Sequence, residues 1–184
     1  IMSSTNGILE EAEEDGYQFR MLKEEEVMNY LKPAHILEKK AFPPDEAATE
    51  ESFLYRMTAA RDFFYVLERN LKGSPEVIGY VVGTLANGDS LTHDSMYEHI
   101  PGAGLLCIHS VAVDPEFRRR GLATAMLKRY IKFMDQLHPF ISTLTLICKH
   151  ELISLYAGAG FSYIGKSDVV HGKDQWFEMS VTLS

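Results

Sequence analysis

The run Val111-Ala112-Val113-Asp114-Pro115-Glu116-Phe117-Arg118-Arg119-Arg120-Gly121-Leu122-Ala123-Thr124 concentrates residues that could do chemistry. An apolar strand ends, Asp-Pro turns the chain, and three arginines with a glycine open a long amphipathic stretch. The first N–H groups of a helix lack intrahelical acceptors and carry partial positive charge. Such a turn is therefore suited to hold a diphosphate, with Gly121 and Ala123 letting the backbone come close. An ordinary strand-to-helix turn with solvated arginines has the same composition, and the residues alone leave both readings open. His109, on the strand leading into the turn, is a candidate base, although a histidine there also suits a structural hydrogen bond. The seven histidines show neither His-Glu-x-x-His nor a Cys/His spacing typical of zinc, so no metal is expected. Gly160 to Ser167 satisfies the nucleotide-binding P-loop pattern letter by letter. It follows a helical stretch, holds strand-like residues, and runs into a segment without helix character, so the nucleotide reading is set aside.

The elements that must position these residues follow from periodicity. Strands are expected at Tyr17–Met21, Phe63–Glu68, Val77–Leu85, Leu105–Val113, Leu144–Cys148, Phe161–Ile164 and Trp176–Leu183. Helices are expected at Lys23–Ala41, divided by Pro33, from the N-cap Thr49 to about Arg61, over Leu122–Leu137 and over Leu152–Ala159. The turn-rich 70–75 connection predicts a hairpin, and the Leu122 helix a crossover between parallel strands. The fold class is α+β: a mixed, mostly antiparallel sheet flanked by helices, with its fourth and fifth strands parallel. Residues 17–184 form one domain, and the acidic segment 1–16 is a flexible lead-in. That lead-in has no basic or apolar leader region, and no apolar run approaches the ~20 residues of a membrane span. Cys107 and Cys148 lie in apolar segments as reduced thiols, so a cytoplasmic, membrane-free protein is expected. The net charge of −8 argues against a nucleic-acid partner and favours cationic substrates. Oligomeric state is not legible.

Arg118-x-x-Gly121-x-Ala123, after a strand and before a helix, resembles the hallmark of the GNAT superfamily of N-acetyltransferases. A second stretch, Leu155-Tyr156-Ala157-Gly158-Ala159-Gly160-Phe161, is similar to the family's tyrosine followed by a small loop ending in Gly-Phe. The resemblance implies the GNAT fold and acetyl-CoA as cosubstrate. It implies that Arg118, Arg119, Arg120, Gly121, Leu122, Ala123 and Thr124 hold the pyrophosphate. Val111, Ala112 and Val113 would pair with the pantetheine arm as another strand would, with Tyr156, Ala157 and Gly158 beside the cofactor.

Acetyl transfer needs a neutral amine, donors for the oxyanion and a proton for the departing thiolate. Strict alternation places Cys107, His109, Val111 and Val113 on one face, so with pantetheine along Val111 and Val113 the base is His109. Tyr156 would be the acid, and a backbone N–H near Val111 the oxyanion donor. A covalent acetyl-cysteine at Cys107 is disfavoured by its apolar setting. Ile108 to Val113 with Phe117-Arg118 is most similar to the arylalkylamine (serotonin) acetyltransferase branch. Members of that branch carry two histidines on this strand; the first falls on Cys107 here, which leaves His109 alone. By the same correspondence Phe42, Ile147 and Trp176 would line the pocket of a small-molecule amine, either an arylalkylamine or a polyamine. A protein-lysine acetyltransferase and a non-catalytic acyl-CoA-binding module are the competing expectations.

Overall fold

The computed structural model describes residues 12–14, 16–71 and 73–184. Its strands are β1 (Ala12–Glu14), β2 (Tyr17–Met21), β3 (Phe64–Leu71), β4 (Ser74–Ala86), β5 (Leu105–Val113), β6 (Thr143–Cys148), β7 (Ser162–Lys166) and β8 (Phe177–Thr182). The helices are α1 (Val27–Ala41), α2 (Glu50–Ala59), α3 (Leu122–Leu137) and α4 (Ile153–Ala159). All strands join one sheet in the order β1-β2-β3-β4-β5-β6-β8-β7, and β5·β6 is its parallel pair. The expected α+β architecture is present. β1 is an addition within the segment read as a lead-in, antiparallel to β2; residues 1–11 and 15 of that segment lie outside the described residues.

The sheet buries both faces. On one face Leu67, Val81, Leu106 and Ile108 pack with Met126 and Tyr130 of α3, while on the other Phe64, Val66, Tyr80 and Ala112 pack with Phe53 of α2 and with α1. Helix α3 sits there because Leu122, Met126, Leu127, Tyr130 and Met134 recur at helical spacing, and the Tyr130 hydroxyl donates to the Phe63 carbonyl at 2.9 Å. Thr49 caps α2 as expected, its side chain accepting from the Ser52 N–H at 3.1 Å. Pro33 does not divide α1, which runs unbroken from Val27 to Ala41. Pro33 and Asn29 both face solvent. Water can therefore bond the Asn29 carbonyl that proline leaves without a donor, while Leu31, Ala34 and Leu37 hold the buried side. Gly160 to Ser167 is mostly strand β7, paired antiparallel with β8, and opens no helix; it has no P-loop geometry.

Candidate active site

One extra residue shapes the site. Val82 faces Ser110 and Gly83 faces Ile108, so His109 is a β-bulge in β5. Gly83 permits it, since a Cβ there would stand 2.8 Å from the Cys107 carbonyl oxygen. The bulge reverses the alternation beyond it. Leu106, Ile108, Val111 and Val113 all pack toward α3, whereas Cys107 clusters with Leu105 and Val169. The expectation that Cys107, His109, Val111 and Val113 share a face therefore fails, because period-2 alternation holds only along an unbroken ladder. Strands β5 and β6 pair from Leu105↔Thr143 to Ile108↔Leu146. From His109 to Val113 the β6-facing edge of β5 has no strand partner among the described residues, so the sheet splits at the histidine.

His109 Nε2 lies 2.7 Å from Thr84 Oγ1, and that oxygen lies 3.2 Å from the Ser95 carbonyl. A carbonyl can only accept, so the threonine proton goes to Ser95 and Thr84 accepts from the Nε2–H of His109. Nδ1 then carries the lone pair, and it is buried without a hydrogen-bond partner. Burial first, then the neighbouring Arg56 and His171, hold the imidazole well below its usual 6.5. At neutral pH His109 is neutral, with Nδ1 able to take a proton. Thr84 was not foreseen; the available signal was a lone hydroxyl inside the apolar run Val81 to Leu85, which must find a partner when buried.

A cavity of about 270 Å³ lies beside this histidine, and Phe42, Ile147, Trp176, His109 and Tyr156 all line it. A second cleft, of about 530 Å³, is lined by Val111, Ala112, Val113, Arg118, Arg119, Gly121, Leu122, Ala123, Thr124 and Tyr156. Ala41, Phe42, Val111, Leu152 and Tyr156 border both, so the two spaces meet there. At the far end of the cleft, Arg119 (φ 61°) and Gly121 (φ 76°) are left-handed and α3 starts at Leu122. The first-turn amides of α3 have no intrahelical acceptor, the setting a phosphate requires. Arg118 Nε donates to the Val113 carbonyl at 3.1 Å, tying the turn to the strand end. Three expected cofactor residues lie outside both linings. Arg120 stacks 5.1 Å from the Phe117 ring centroid and donates to the Tyr17 hydroxyl, and Ala157 and Gly158 are exposed on α4.

Tyr156 is 7% exposed, and burial, with a smaller contribution from Cys148, pushes its phenol above the usual 10. It stays protonated at neutral pH and can donate. Burial also pushes the Cys107 and Cys148 thiols up to about 11, which keeps both out of nucleophilic chemistry near pH 7. Trp176 is fixed by donating its indole N–H to the His171 carbonyl at 2.5 Å. Of the acidic and basic groups in the cavity wall, Glu46, Lys149 and His171 gave no recognisable spacing in the sequence; Glu38 and Glu151 also line it. Among the described residues, no cluster of three or more His, Cys, Asp or Glu could hold a metal, and no helix is long and apolar enough to cross a membrane.

The split sheet, with a phosphate-type turn at one end of the opening and a lined cavity at the other, defines an α+β domain built around a two-part ligand site. The model of the Acetyltransferase (GNAT) family matches residues 24–161, and the chain belongs to that family. It is 27% identical over 107 residues to serotonin N-acetyltransferase of Mesocricetus auratus, a match covering 58% of this chain and 51% of that protein. The chain thus spans about half the length of the curated relatives it matches. Among solved structures, a GNAT-like decarboxylase, GphF, in complex with isobutyryl-CoA superimposes with a TM-score of 0.73 at 15% identity, over 90% of this chain and 99% of that one. The protein yncA from Salmonella typhimurium, with its cofactor acetyl-CoA, gives 0.60 at 18% identity, over 92% and 95%. Acetyl-CoA as cosubstrate fits the family, and the open β5 edge with the left-handed turn fits the coenzyme's extended arm and linked phosphates.

Proposed function

We propose that this protein transfers the acetyl group of acetyl-CoA to small-molecule primary amines, arylalkylamines such as tryptamine and serotonin foremost, with polyamines a further acceptor class. The observation that carries the proposal is the meeting of the two spaces. A cleft suited to a phosphate-bearing thioester and a cavity lined by Phe42, Ile147 and Trp176 share Val111 and Tyr156, with His109 lining the cavity.

An alkylamine has a pKa of ~10.4 and is almost wholly protonated at neutral pH, so its nitrogen must shed a proton to attack. His109 Nδ1 receives it, directly or through a water. The amine nitrogen bonds to the acetyl carbonyl carbon, and free β5 amides beyond the bulge face the charge that develops on the carbonyl oxygen. As the carbon–sulfur bond breaks, Tyr156 gives its proton to the departing thiolate, and the nitrogen, positively charged since the attack, yields its second proton to the phenolate, directly or through a water. Amide and free coenzyme A leave, Tyr156 is restored, and His109 releases the first proton to solvent.

Purified protein with acetyl-CoA and a panel of tryptamine, serotonin, phenethylamine, spermine and lysine peptides, read by free-thiol release, tests the proposal. Turnover of the aryl amines is expected, with His109→Gln and Tyr156→Phe losing turnover while coenzyme affinity stays close to normal. Peptides outcompeting every free amine would replace the acceptor class with protein lysines. Coenzyme binding without any turnover would reduce the chain to a binding module.

A further inference from the structure

Among the described residues, two buried side-chain polar atoms lack a hydrogen-bond partner, His109 Nδ1 and Glu46 Oε2, and both residues line the acceptor cavity. Glu46 lies between α1 and α2 and is 6% exposed. Its Oε1 is 2.7 Å from Lys149 Nζ. His171 Nε2 donates to the Glu46 carbonyl at 2.9 Å, and the Glu46 N–H donates to the Pro43 carbonyl at 3.0 Å. Gly172 is folded tightly against it, since a Cβ there would stand 3.0 Å from Glu46 Cγ. Lys149 therefore holds Oε1 of the carboxylate, the two backbone bonds fix its residue, and Oε2 is left over. A buried acceptor in that state costs free energy that an incoming donor recovers.

The surroundings select the donor. Lys149 Nζ already pairs with Glu46 Oε1 at 2.7 Å, so the charge of Glu46 is partly matched and a second cation gains less from it than from a free carboxylate. A neutral O–H or N–H needs no unmatched charge, only the open acceptor. The walls around it, Phe42, Leu91, Met96, Ile147 and Trp176, suit a flat apolar ring. We propose that Glu46 is a specificity residue whose Oε2 accepts a hydrogen bond from a ring-borne O–H or N–H of the acceptor, while His109 serves the amine of the same molecule. This rests on the amine-acetyltransferase reading above, and it favours hydroxylated aryl and indole amines over polyamines.

Two substrate pairs that differ only in the donor provide the test: tyramine against phenethylamine, and tryptamine against its ring N-methyl derivative. A hydrogen bond to a charged acceptor predicts that wild type favours the donor-bearing member of at least one pair by about 10- to 150-fold in kcat/KM. Lys149 pins one side of the group, so Glu46→Gln turns its amide N–H2 toward the former Oε2 position and presents a donor in place of an acceptor. The ratio should collapse to near unity with the weaker substrate changed only a few-fold. The wild-type ratios need no variant, so a misfolded Glu46→Gln leaves the test intact. Turnover of all four amines with both ratios near unity overturns the role of Glu46 and leaves the enzyme reading standing. Turnover of none of them overturns both.

Discussion

Replacing Thr84 by valine probes the base without touching it. Valine keeps the shape and removes the oxygen that accepts from His109 Nε2–H at 2.7 Å and donates to Ser95 at 3.2 Å. A buried donor left without its acceptor costs about 1–3 kcal/mol. If that interaction is what holds the ring with Nδ1 free, kcat should fall by up to the same free energy, about 5- to 150-fold. Direct removal of the base in His109→Gln should cost more, about 10²- to 10⁴-fold. The assay is steady-state thiol release with tryptamine, varying acetyl-CoA and amine separately. The acetyl-CoA KM should not move, because Thr84 borders neither the turn nor the open edge of β5. Thr84→Ser, which restores the oxygen, should recover most of the rate. A Thr84→Val protein that is destabilised yet turns over at the wild-type kcat would refute the tautomer argument, for it would show the hydroxyl to be structural only.

Other expectations follow from the same geometry. Gly121→Ala forces a side chain into a left-handed turn (φ 76°) where its Cβ meets nothing within 4 Å. Its effect is backbone strain of about 1–2 kcal/mol, read as a roughly 5- to 30-fold loss of coenzyme affinity by calorimetry. Cys107→Ala should keep wild-type turnover, and the native thiol, pushed up to about 11, should resist iodoacetamide near neutral pH. Burial holds His109, and less strongly His99 and His138, below the usual 6.5 in the fold. The unfolded chain binds those protons first, so the stability they contribute is complete above about pH 6.5 and is lost as pH falls below it. Urea titrations between about pH 7.5 and 5.5 should show that loss, with a shallower slope in His109→Gln.

How much of this was legible depends on whether the deciding interaction is local. Helix α2 and its Thr49 cap, the β3–β4 hairpin and α3 were readable, because capping chemistry, turn residues and apolar period act within a few residues. The turn from Arg118 to Ala123 was readable for the same reason, whereas its tie to the strand end through Arg118 Nε and the Val113 carbonyl was not foreseen. Pro33 was misread because its cost depends on which side of α1 it faces, a tertiary matter. Thr84 and Glu46 were missed because each matters through partners far along the chain, Ser95 and His109 for one and Lys149 and His171 for the other.

The bulge at His109 shows what that distance does to a functional argument. In the sequence, parity with Cys107, Val111 and Val113 points to His109, and the ladder breaks that parity at that very position. The histidine still borders the cavity, but for another reason. As the unpaired residue of the bulge it leaves the ladder, and its ring is turned to Thr84 on β4. The same irregularity coincides with the point where β5 parts from β6, so one inserted residue both opens an edge for an extended ligand and delivers a neutral imidazole to its side. Gly83 is what makes this possible, because any larger residue would press on the Cys107 carbonyl across the bulge. Gly83→Ala should therefore cost more turnover than its distance from the cavity linings suggests, by pushing β5 back toward a regular ladder and withdrawing Nδ1 from the substrate.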